Sequence, residues 1–371
     1  MVPQGAGIPL STPGIPSEQM MTPYSAFGTI EPSHFSRITT LATALCAAAL
    51  SQPGWAQVVP SVTLQLDAEN FVVYTYDVTD YSKFATDLNK TTSLLGLQQG
   101  GLRTFTPFIG IADIVAVNGV PAKGTWLTRG TVLNLQTNPL SGQAVADTIR
   151  TNMTEQVFEI SRDDGTPIGT ILASEVGFGA APPGAPLGSI GNNKAITGGT
   201  GAFLGARGQI GLAQSVAIRI ASVSEDPANR RLHGGGSSRH LIQLFPMLPP
   251  EIVSTANGPA IFHADFSPVT STQPARAGEV LVLKATGLGP TRPGVNSGSP
   301  FPFDALQQVN SPVAVSVNGQ QAEVINAVGW PGLADTYRVD FQVPDGTVAG
   351  TAGIQMIAAW IPAPPVSVLI Q

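Results

Sequence analysis

Short runs of β-branched and aromatic residues, partly alternating with polar ones, recur from residue 58 to about residue 222. Such runs predict strands rather than helices when turn residues separate them. Asn118-Gly119 and Asp163-Asp-Gly165 are two hairpin-turn signals of this kind. The predicted strands cover residues 62–66, 71–78, 105–117, 131–135, 155–161, 167–176 and 209–223. Seven or eight strands joined mostly by short turns favour a closed barrel, because closure leaves no exposed sheet edge.

The strand pattern stops at residue 225 and resumes at residue 251. Between these positions an Asn-Arg-Arg sequence, three consecutive glycines and Pro249-Pro250 indicate a linker or an extended excursion. Beyond residue 251, turn signals such as Asn318-Gly319 and Asp345-Gly346 recur about every ten residues, which is typical of an Ig-like sandwich. The sequence therefore predicts an all-β protein with a closed barrel over residues 57–224, a linker over 225–250 and an Ig-like β-sandwich over 251–371.

Composition supports this fold class and narrows the expected partners. Charged residues make up 11% of the chain, whereas glycine (41 residues) and proline (32 residues) are abundant, which favours a β protein with many turns. Lysine and arginine total 18, the formal net charge is −6, and no basic cluster is long enough to follow a nucleic-acid backbone. Nucleic acid is therefore not an expected partner.

A targeting signal is predicted near the N-terminus. Residues 1–36 are rich in Pro, Gly and Ser, and are predicted to be disordered or to precede the true start of the protein. Arg37, an apolar run over residues 38–50 and small residues up to Ala56 follow in the order of a signal peptide. We expect residues 37–56 to be removed on export, leaving a secreted, periplasmic or cell-surface protein with no membrane segment. Cys46, the only cysteine, lies within this signal, so disulfides and thiolate chemistry are not expected.

Residues 196–209 are the most informative stretch, because they hold five glycines and one arginine between two strand-like runs. Glycine at this density lets the backbone adopt positive φ and lets another group approach closely. A buried Arg207 would need an anionic or polar partner, since an unpaired buried charge is costly. The stretch therefore indicates either a ligand site or a tight turn in which Arg207 pairs with a carboxylate to close the barrel.

The run Gly198-Gly-Thr-Gly-Ala-Phe-Leu-Gly-Ala-Arg-Gly208 resembles the glycine-rich signature of dirigent proteins, which are relatives of the allene oxide cyclase barrel. Supporting matches follow in the same order over residues 62–220. Residues 71–77 look like the dirigent opening strand, with Tyr76 where histidine is usual, and residues 127–130 and 163–171 match later segments. The pair before the glycine-rich strand, usually charged, is Asn193-Lys194 here.

This resemblance implies a pocket inside the barrel and names its residues. Asp77 and Arg207 are the implied catalytic pair, in which Arg207 holds a ligand oxygen and keeps Asp77 ionised for proton transfer. The implied ligand-binding residues are Tyr74, Tyr76, Asp113, Trp126, Arg129, Thr200 and Phe203. Dirigent proteins steer the coupling of phenoxy radicals and allene oxide cyclases steer a cyclisation, and neither needs a metal or an organic cofactor. The resemblance thus implies a small hydrophobic or phenolic ligand, no cofactor and a homo-oligomer through the barrel.

The C-terminal unit resembles an Ig-like domain, similar to IPT/TIG modules, that recurs in secreted acidobacterial proteins. The resemblance is based on five segments: residues 266–269, 274–279, 285–290, 312–315 and 337–344. That family has no known chemistry and implies an accessory or presenting role.

Three functions therefore stay open. The barrel binds a small molecule and steers its cyclisation or coupling, as an enzyme or a binding protein. Alternatively, a filled barrel acts as a non-catalytic extracellular or surface module. In the third alternative, exposed aromatics such as Trp330 and Trp360 bind carbohydrate or another polymer. No metal site is expected, because His233 and His240 are seven residues apart with no carboxylate between them.

Overall fold

The computed structural model describes residues 61–75, 104–134, 150–176, 193–215, 219–222 and 225–371. All of these belong to one compact unit, Val59–Gln371. The predicted signal peptide, Tyr76 and Asp77 lie outside the described residues.

Eight antiparallel strands close into a barrel in the N-terminal part, and a ninth adds to it in parallel. The order is β1-β2-β3-β4-β5-β6-β7-β9, with β9 pairing back to β1, while β8 pairs with the end of β1. The strands are β1 Val62–Thr75, β2 Thr104–Val117, β3 Val120–Asn134, β4 Arg150–Arg162, β5 Pro167–Val176, β6 Lys194–Gly201, β7 Arg207–Ser215, β8 Arg219–Ser222 and β9 Gly236–Phe245. The predicted all-β class and the closed barrel are confirmed.

The predicted linker over residues 225–250 was wrong, because it contains the strand that closes the barrel. Strand β9 pairs with β7 on one side and β1 on the other, and its residues alternate between buried and half-buried along Gly236–Leu244. The run Ser-Ser-Arg-His-Leu-Ile-Gln-Leu has the required alternation, but adjacent glycines and charges obscured it. A 3₁₀ turn over Pro227–Asn229 and helix α1 over Arg230–His233 precede β9.

The side chains that fill the barrel come from alternate positions on its strands. Val62, Leu64, Leu66 and Ala68 alternate along β1, and bulges follow, so that Phe71 continues the same core beyond Asn70. Asn70 has a φ of 55°, a conformation that asparagine tolerates better than most residues. Val72 and Tyr74 then lie in a separate cluster with Ala221, on the other face of the strand.

The C-terminal part consists of further β-strands around a second apolar core. Its strands are β10 Glu251–Ile252, β11 Ser254–Thr255, β12 Gly258–Pro259, β13 Ile261–Phe262, β14 Val280–Thr286, β15 Thr291–Arg292, β16 Gln308–Val309, β17 Val313–Val317, β18 Gln320–Gly329, β19 Thr336–Gln342, β20 Gly350–Ala358, β21 Ile361–Pro362 and β22 Val366–Ile370. The main order is β10-β14-β19-β18-β17-β20-β21. The hairpin predicted at Asn318-Gly319 joins β17 to β18.

The two parts share an apolar contact. Ala359, from the turn between β20 and β21, and Ile361, the first residue of β21, belong to the core of the barrel. Trp360 packs against that core. Asn310 Nδ2 donates to the carbonyl of Pro167 at 3.0 Å. Gly289 packs directly on Ala202, since a Cβ added to Gly289 would lie only 2.9 Å from the Ala202 methyl. One end of the barrel is therefore covered by the C-terminal part.

Candidate functional site

The glycine-rich stretch forms a tight turn that fills the covered end of the barrel. Phe203 is completely buried in the barrel core, and backbone hydrogen bonds within and beside the turn hold residues 199–206 around it. A Cβ on Gly199 would lie 2.2 Å from the Phe203 carbonyl, and Gly201 has a φ of +62°. These glycines serve close backbone packing around a core phenylalanine rather than the approach of a ligand.

Arg207 lies on the exposed face of β7 and does not enter the barrel. Its Nη1 donates to the backbone carbonyls of Thr197 at 2.6 Å and Ala206 at 2.9 Å. The partner expected for it, a carboxylate or a ligand oxygen, is replaced by two peptide carbonyls. Arg207 thus joins the start of β7 to the middle of β6. Its predicted partner Asp77 lies outside the described residues.

Tyr74 and Asp113, both predicted to bind ligand, lie on the outer face of the barrel beneath residues 225–234. Asp113 accepts hydrogen bonds from Asn70, Arg230 and Arg231. Burial alone would raise the pKa of Asp113, but the hydrogen bonds from Arg231, Asn70 and Arg230 outweigh it and lower the pKa below its usual value. Asp113 therefore anchors α1 to the barrel wall.

The hydroxyl of Tyr74 is buried with no hydrogen-bond partner among the described residues. Burial is the main cause that raises the pKa of the Tyr74 hydroxyl, and the negative charge of the nearby Glu225 raises it further. Glu225 itself forms a two-pronged ion pair with Arg219 of β8.

Two further predicted residues lie on the outer surface. Arg129 pairs with Glu155 across β3 and β4, and both side chains are exposed. The Thr200 hydroxyl shares a hydrogen bond with that of Thr170 at 2.7 Å. The predicted residues thus do not form one pocket: of those described, only Trp126 and Phe203 contribute to the barrel interior.

Trp126 belongs to a polar layer inside the barrel. Its indole Nε1 donates to Gln156 Oε1 at 3.0 Å, Gln156 Nε2 donates to Thr154 Oγ1 at 3.4 Å, and the Thr154 hydroxyl donates to Glu175 Oε2 at 3.3 Å. All these side chains are buried. These residues lie at every second position of β3, β4 and β5, in line with apolar residues of the barrel core such as Phe158 and Ala173. Because side chains alternate between the two faces of a strand, the polar residues also point to the inner face of the barrel.

Glu175 and Lys194 form the charged end of this layer. Burial raises the pKa of Glu175, against the opposing effects of Lys194 and the Thr154 hydrogen bond. Burial lowers the pKa of Lys194, against the opposing effect of Glu175. Desolvation thus moves the two pKa values toward each other, which favours the uncharged form of each group relative to its state in water.

Aromatic rings pack below the polar layer. Phe71 and Trp126 stack with ring centroids 4.3 Å apart, and Phe158 stacks on the other side at 5.8 Å. His240 of β9 contacts Trp126 and Phe158 edge-on, and its Nε2 bonds to the Ser238 hydroxyl at 3.1 Å. Complete burial is the main cause that holds the pKa of His240 well below its usual value, and the charge of Lys194 lowers it further. This histidine is therefore neutral.

Three buried polar atoms of the inner face have no hydrogen-bond partner among the described residues: Glu175 Oε1, His240 Nδ1 and Thr128 Oγ1. Buried polar atoms are normally paired with protein or ordered water. These three atoms therefore have hydrogen-bonding capacity that no described protein group uses.

A groove of about 870 Å³ follows the barrel wall at the same end. One row of its lining runs across five neighbouring strands and is exposed or half-buried: Ile109, Arg129, Glu155, Ser174 and Ala195. The groove is also lined by Phe108, Gly130, Thr154 and Glu175 from the next row. Glu175 thus belongs both to the polar layer and to the lining of the groove.

Sequence reasoning missed Glu175, Gln156, Thr154 and His240. A detectable signal was a polar residue at an inward position of an otherwise apolar alternation, as in Ile171-Leu-Ala-Ser-Glu175. Asn193-Lys194 was identified only as a departure from the dirigent pattern, yet Lys194 is buried beside Glu175.

Neither a comparison with protein-family models nor one with curated proteins finds a match to this chain. In the described residues no group of three or more His, Cys, Asp or Glu side chains is placed to hold a metal ion. The same residues include no helix long and apolar enough to cross a membrane.

Proposed function

We propose that the barrel binds a small hydrophobic molecule with a polar oxygen at the groove beside Glu175, and steers its cyclisation or coupling. One observation carries this proposal: Glu175 lines the groove with one carboxyl oxygen held by Thr154 and the other unpartnered among the described residues. A buried, unpaired carboxyl oxygen is costly unless something else bonds to it.

The chemistry of the groove favours a neutral, oxygenated ligand. Pro107, Phe108, Ile109 and Met153 give it apolar surface, which the body of a hydrophobic molecule would cover. The opposite charges of Glu175 and Lys194 offset each other, so no net charge attracts a strongly ionic ligand. Phenols, enols and ketones combine an apolar body with one such oxygen.

A steering role needs only shape, one hydrogen bond and one proton site. Glu175 would orient the ligand oxygen, while the apolar wall would restrict the conformers that react. The dirigent and allene oxide cyclase resemblance supports this reaction class, and it supplies the phenolic ligand. A separate resemblance, that of residues 251–371 to an Ig-like domain of secreted proteins, supports an Ig-like C-terminal module. The signal-peptide pattern over residues 37–56 supports an exported protein.

The filled part of the barrel favours the second candidate, a non-catalytic surface module. Phe203, Phe158 and Ile168 are completely buried in the barrel core, where they fill space that a ligand would otherwise occupy. The carbohydrate alternative has less support, because Trp360 packs on the barrel core and Lys284 lies over the ring of Trp330, 5.4 Å from its centre.

The test is a thermal-shift and calorimetric titration of the full chain with coniferyl alcohol, ricinoleate and cellohexaose. Ala195→Trp places a large ring in the groove, and Thr197→Trp places the same ring two residues along on the same exposed face of β6, outside the groove. We expect coniferyl alcohol, which is neutral, to raise the Tm of the wild type and of Thr197→Trp but not of Ala195→Trp, and the anion ricinoleate to have a smaller effect. Equal responses in both variants, or stabilisation by cellohexaose alone, would contradict the proposal.

A further inference from the structure

The hydrogen-bond chain from Trp126 to Glu175 has a fixed direction. An indole N–H only donates, so the atom of Gln156 that it contacts must be the amide oxygen. The Gln156 amide nitrogen therefore points the other way and donates to Thr154 Oγ1. The orientation of this amide follows from its partners.

The direction continues through Thr154. A threonine hydroxyl has one proton, and here its oxygen already accepts the Gln156 amide proton. The hydroxyl proton is thus directed at Glu175 Oε2, 3.3 Å away. Oε2 accepts this proton when the carboxyl is ionised. It keeps that role when the carboxyl is protonated, because the carbonyl oxygen of a carboxylic acid is a better acceptor than its hydroxyl oxygen.

The fixed direction assigns different roles to the two oxygens of Glu175. Because Oε2 is occupied as an acceptor, a proton on the carboxyl resides on Oε1, which has no partner among the described residues. The geometry points to Glu175 Oε1 as the atom that selects the ligand: it donates to an acceptor oxygen when the carboxyl is protonated, and accepts from a ligand hydroxyl when the carboxyl is ionised. This inference depends on the proposed function, since it requires a ligand in the groove.

Glu175 is then a specificity-determining residue, and Trp126, Gln156 and Thr154 are positioning residues that act through it. A carbonyl or ether oxygen only accepts, so it bonds to the protonated carboxyl alone. A phenol both donates and accepts, so it bonds to Glu175 in either state. The preference for one class over the other should therefore depend on pH.

The charged and titratable groups around Glu175 come from several strands. Lys194 faces it from β6, and His240 on β9, the next strand but one, interacts electrostatically with Lys194. Glu155 on β4 and Arg129 on β3 line the groove on the exposed row. Glu155 is the other carboxylate of the lining, which makes Glu155→Gln the matched control for Glu175→Gln.

The experiment measures the Kd of para-ethylphenol and of its methyl ether, para-ethylanisole, for the full chain by ligand-detected NMR from about pH 4 to about pH 9. The expected result is that the ether-to-phenol ratio of Kd rises about tenfold as Glu175 ionises, because the ether loses its only hydrogen bond. Glu155→Gln should retain the rise.

In Glu175→Gln the Thr154 proton holds the amide oxygen, so the amide N–H faces the groove and donates at every pH. The ratio should then stay low and constant. Thr154→Val removes a hydrogen bond that favours the ionised carboxyl, and so moves the rise to higher pH, a change that loss of packing alone would not produce.

A ratio that is constant with pH in the wild type, or a rise that persists in Glu175→Gln, would overturn the inference. In either case the proposed function still stands if both probes bind and Ala195→Trp abolishes their binding. If neither probe nor any member of the earlier panel binds, the proposed function fails together with this inference.

Discussion

At Asp113 one buried carboxylate accepts hydrogen bonds from two arginines and an asparagine, and so joins a short helix to the barrel wall. The residue resembles a strand-end acid of a binding pocket in sequence, but in the structure all of its capacity is used by protein groups. Its role is structural, and its charge is the feature to test.

Asp113→Asn should lower the free energy of unfolding by about 3 kcal/mol, because Arg230 is left as a buried charge without its anion. Urea denaturation at neutral pH measures this. Glu155→Gln, which breaks an exposed pair, should cost about 0.5 kcal/mol or less. Equal losses in the two variants would show that burial does not strengthen the Asp113 cluster.

The pKa shift of Asp113 also sets a pH dependence. Because its folded pKa is below the unfolded value of about 3.8, the stabilising contribution is present above that value and is lost as pH falls through the folded pKa. The difference in stability between the wild type and Asp113→Asn should therefore shrink in acid. A difference that is constant down to about pH 2 would contradict this assignment.

His263 shows the opposite dependence. Burial alone would lower its pKa, but hydrogen bonds with Glu279 and with the carbonyl of Gln273 raise it above the usual value. Its contribution to stability is thus fully present below about pH 6.5 and is lost as pH rises through the folded pKa. The stability difference between the wild type and His263→Gln, measured by urea denaturation, should be larger at about pH 6 than at about pH 9. A larger difference at the higher pH would refute the pairing.

Single residues were the least predictable part of the site. Trp126 was identified, and it does belong to the polar layer. Arg207 was assigned to a ligand because a buried charge needs a partner, and Asp113 because the dirigent resemblance implies an acidic residue there. The sequence does not show which partner the fold provides. In the structure, Arg207 donates to backbone carbonyls. Asp113 accepts hydrogen bonds from Arg230 and Arg231, which lie 117 and 118 residues further along the chain.

At the scale of elements, the turn between β6 and β7 shows why the glycine density is needed. Gly199 allows the Phe203 carbonyl to pass directly over it, which in turn lets the Phe203 ring enter the core. The sequence of this turn also suggested a ligand site. A ligand and a backbone segment can each approach the chain closely only where glycine leaves room, so the glycines alone do not distinguish the two.

Gly199→Ala should therefore destabilise the protein strongly, by about 3 kcal/mol, since its Cβ would meet backbone atoms that cannot move away independently. Gly346→Ala is the control, because a Cβ there meets nothing within 4 Å and its φ is not positive. Its effect should be within about 0.5 kcal/mol. Thermal or urea denaturation separates the two outcomes, and a neutral Gly199→Ala would show that the turn can rearrange.

Strand prediction succeeded where periodicity was clear and failed where turn-forming residues adjoined it. Hairpins at Asn118-Gly119 and Asp163-Asp-Gly165 join β2 to β3 and β4 to β5 as expected. Strand β9 was missed because three glycines precede it, although its alternation is regular. Pairing of β9 between β7 and β1 is set by long-range contacts, which a local pattern does not contain.

At the scale of the whole molecule, the barrel core extends into the C-terminal part. Ala359 and Ile361 are almost fully buried within a cluster that otherwise belongs to the barrel. The apolar packing therefore crosses the boundary that the sequence predicts at residue 251.

Ile361→Ala should weaken the barrel by about 3 kcal/mol, although the residue lies in the C-terminal part. Hydrogen exchange of β5 and β6 measures the effect, because loss of core packing increases local opening there. Ile370→Ala, which belongs only to the second core, should increase exchange chiefly in β20 and β22. If Ile361→Ala leaves β5 and β6 protected, the shared core does not stabilise the barrel.

The central claim is that a ligand reaches the free oxygen of Glu175. The most direct test is ¹³C NMR of the glutamate carboxyl groups in the full chain, with the Glu175 resonance assigned by its absence in Glu175→Gln. Addition of coniferyl alcohol should shift this resonance and change its pKa, because a new hydrogen bond to Oε1 alters the balance between the two ionisation states. A Glu175 resonance that is unchanged at a saturating concentration, established by thermal shift, would place the ligand elsewhere and contradict the claim.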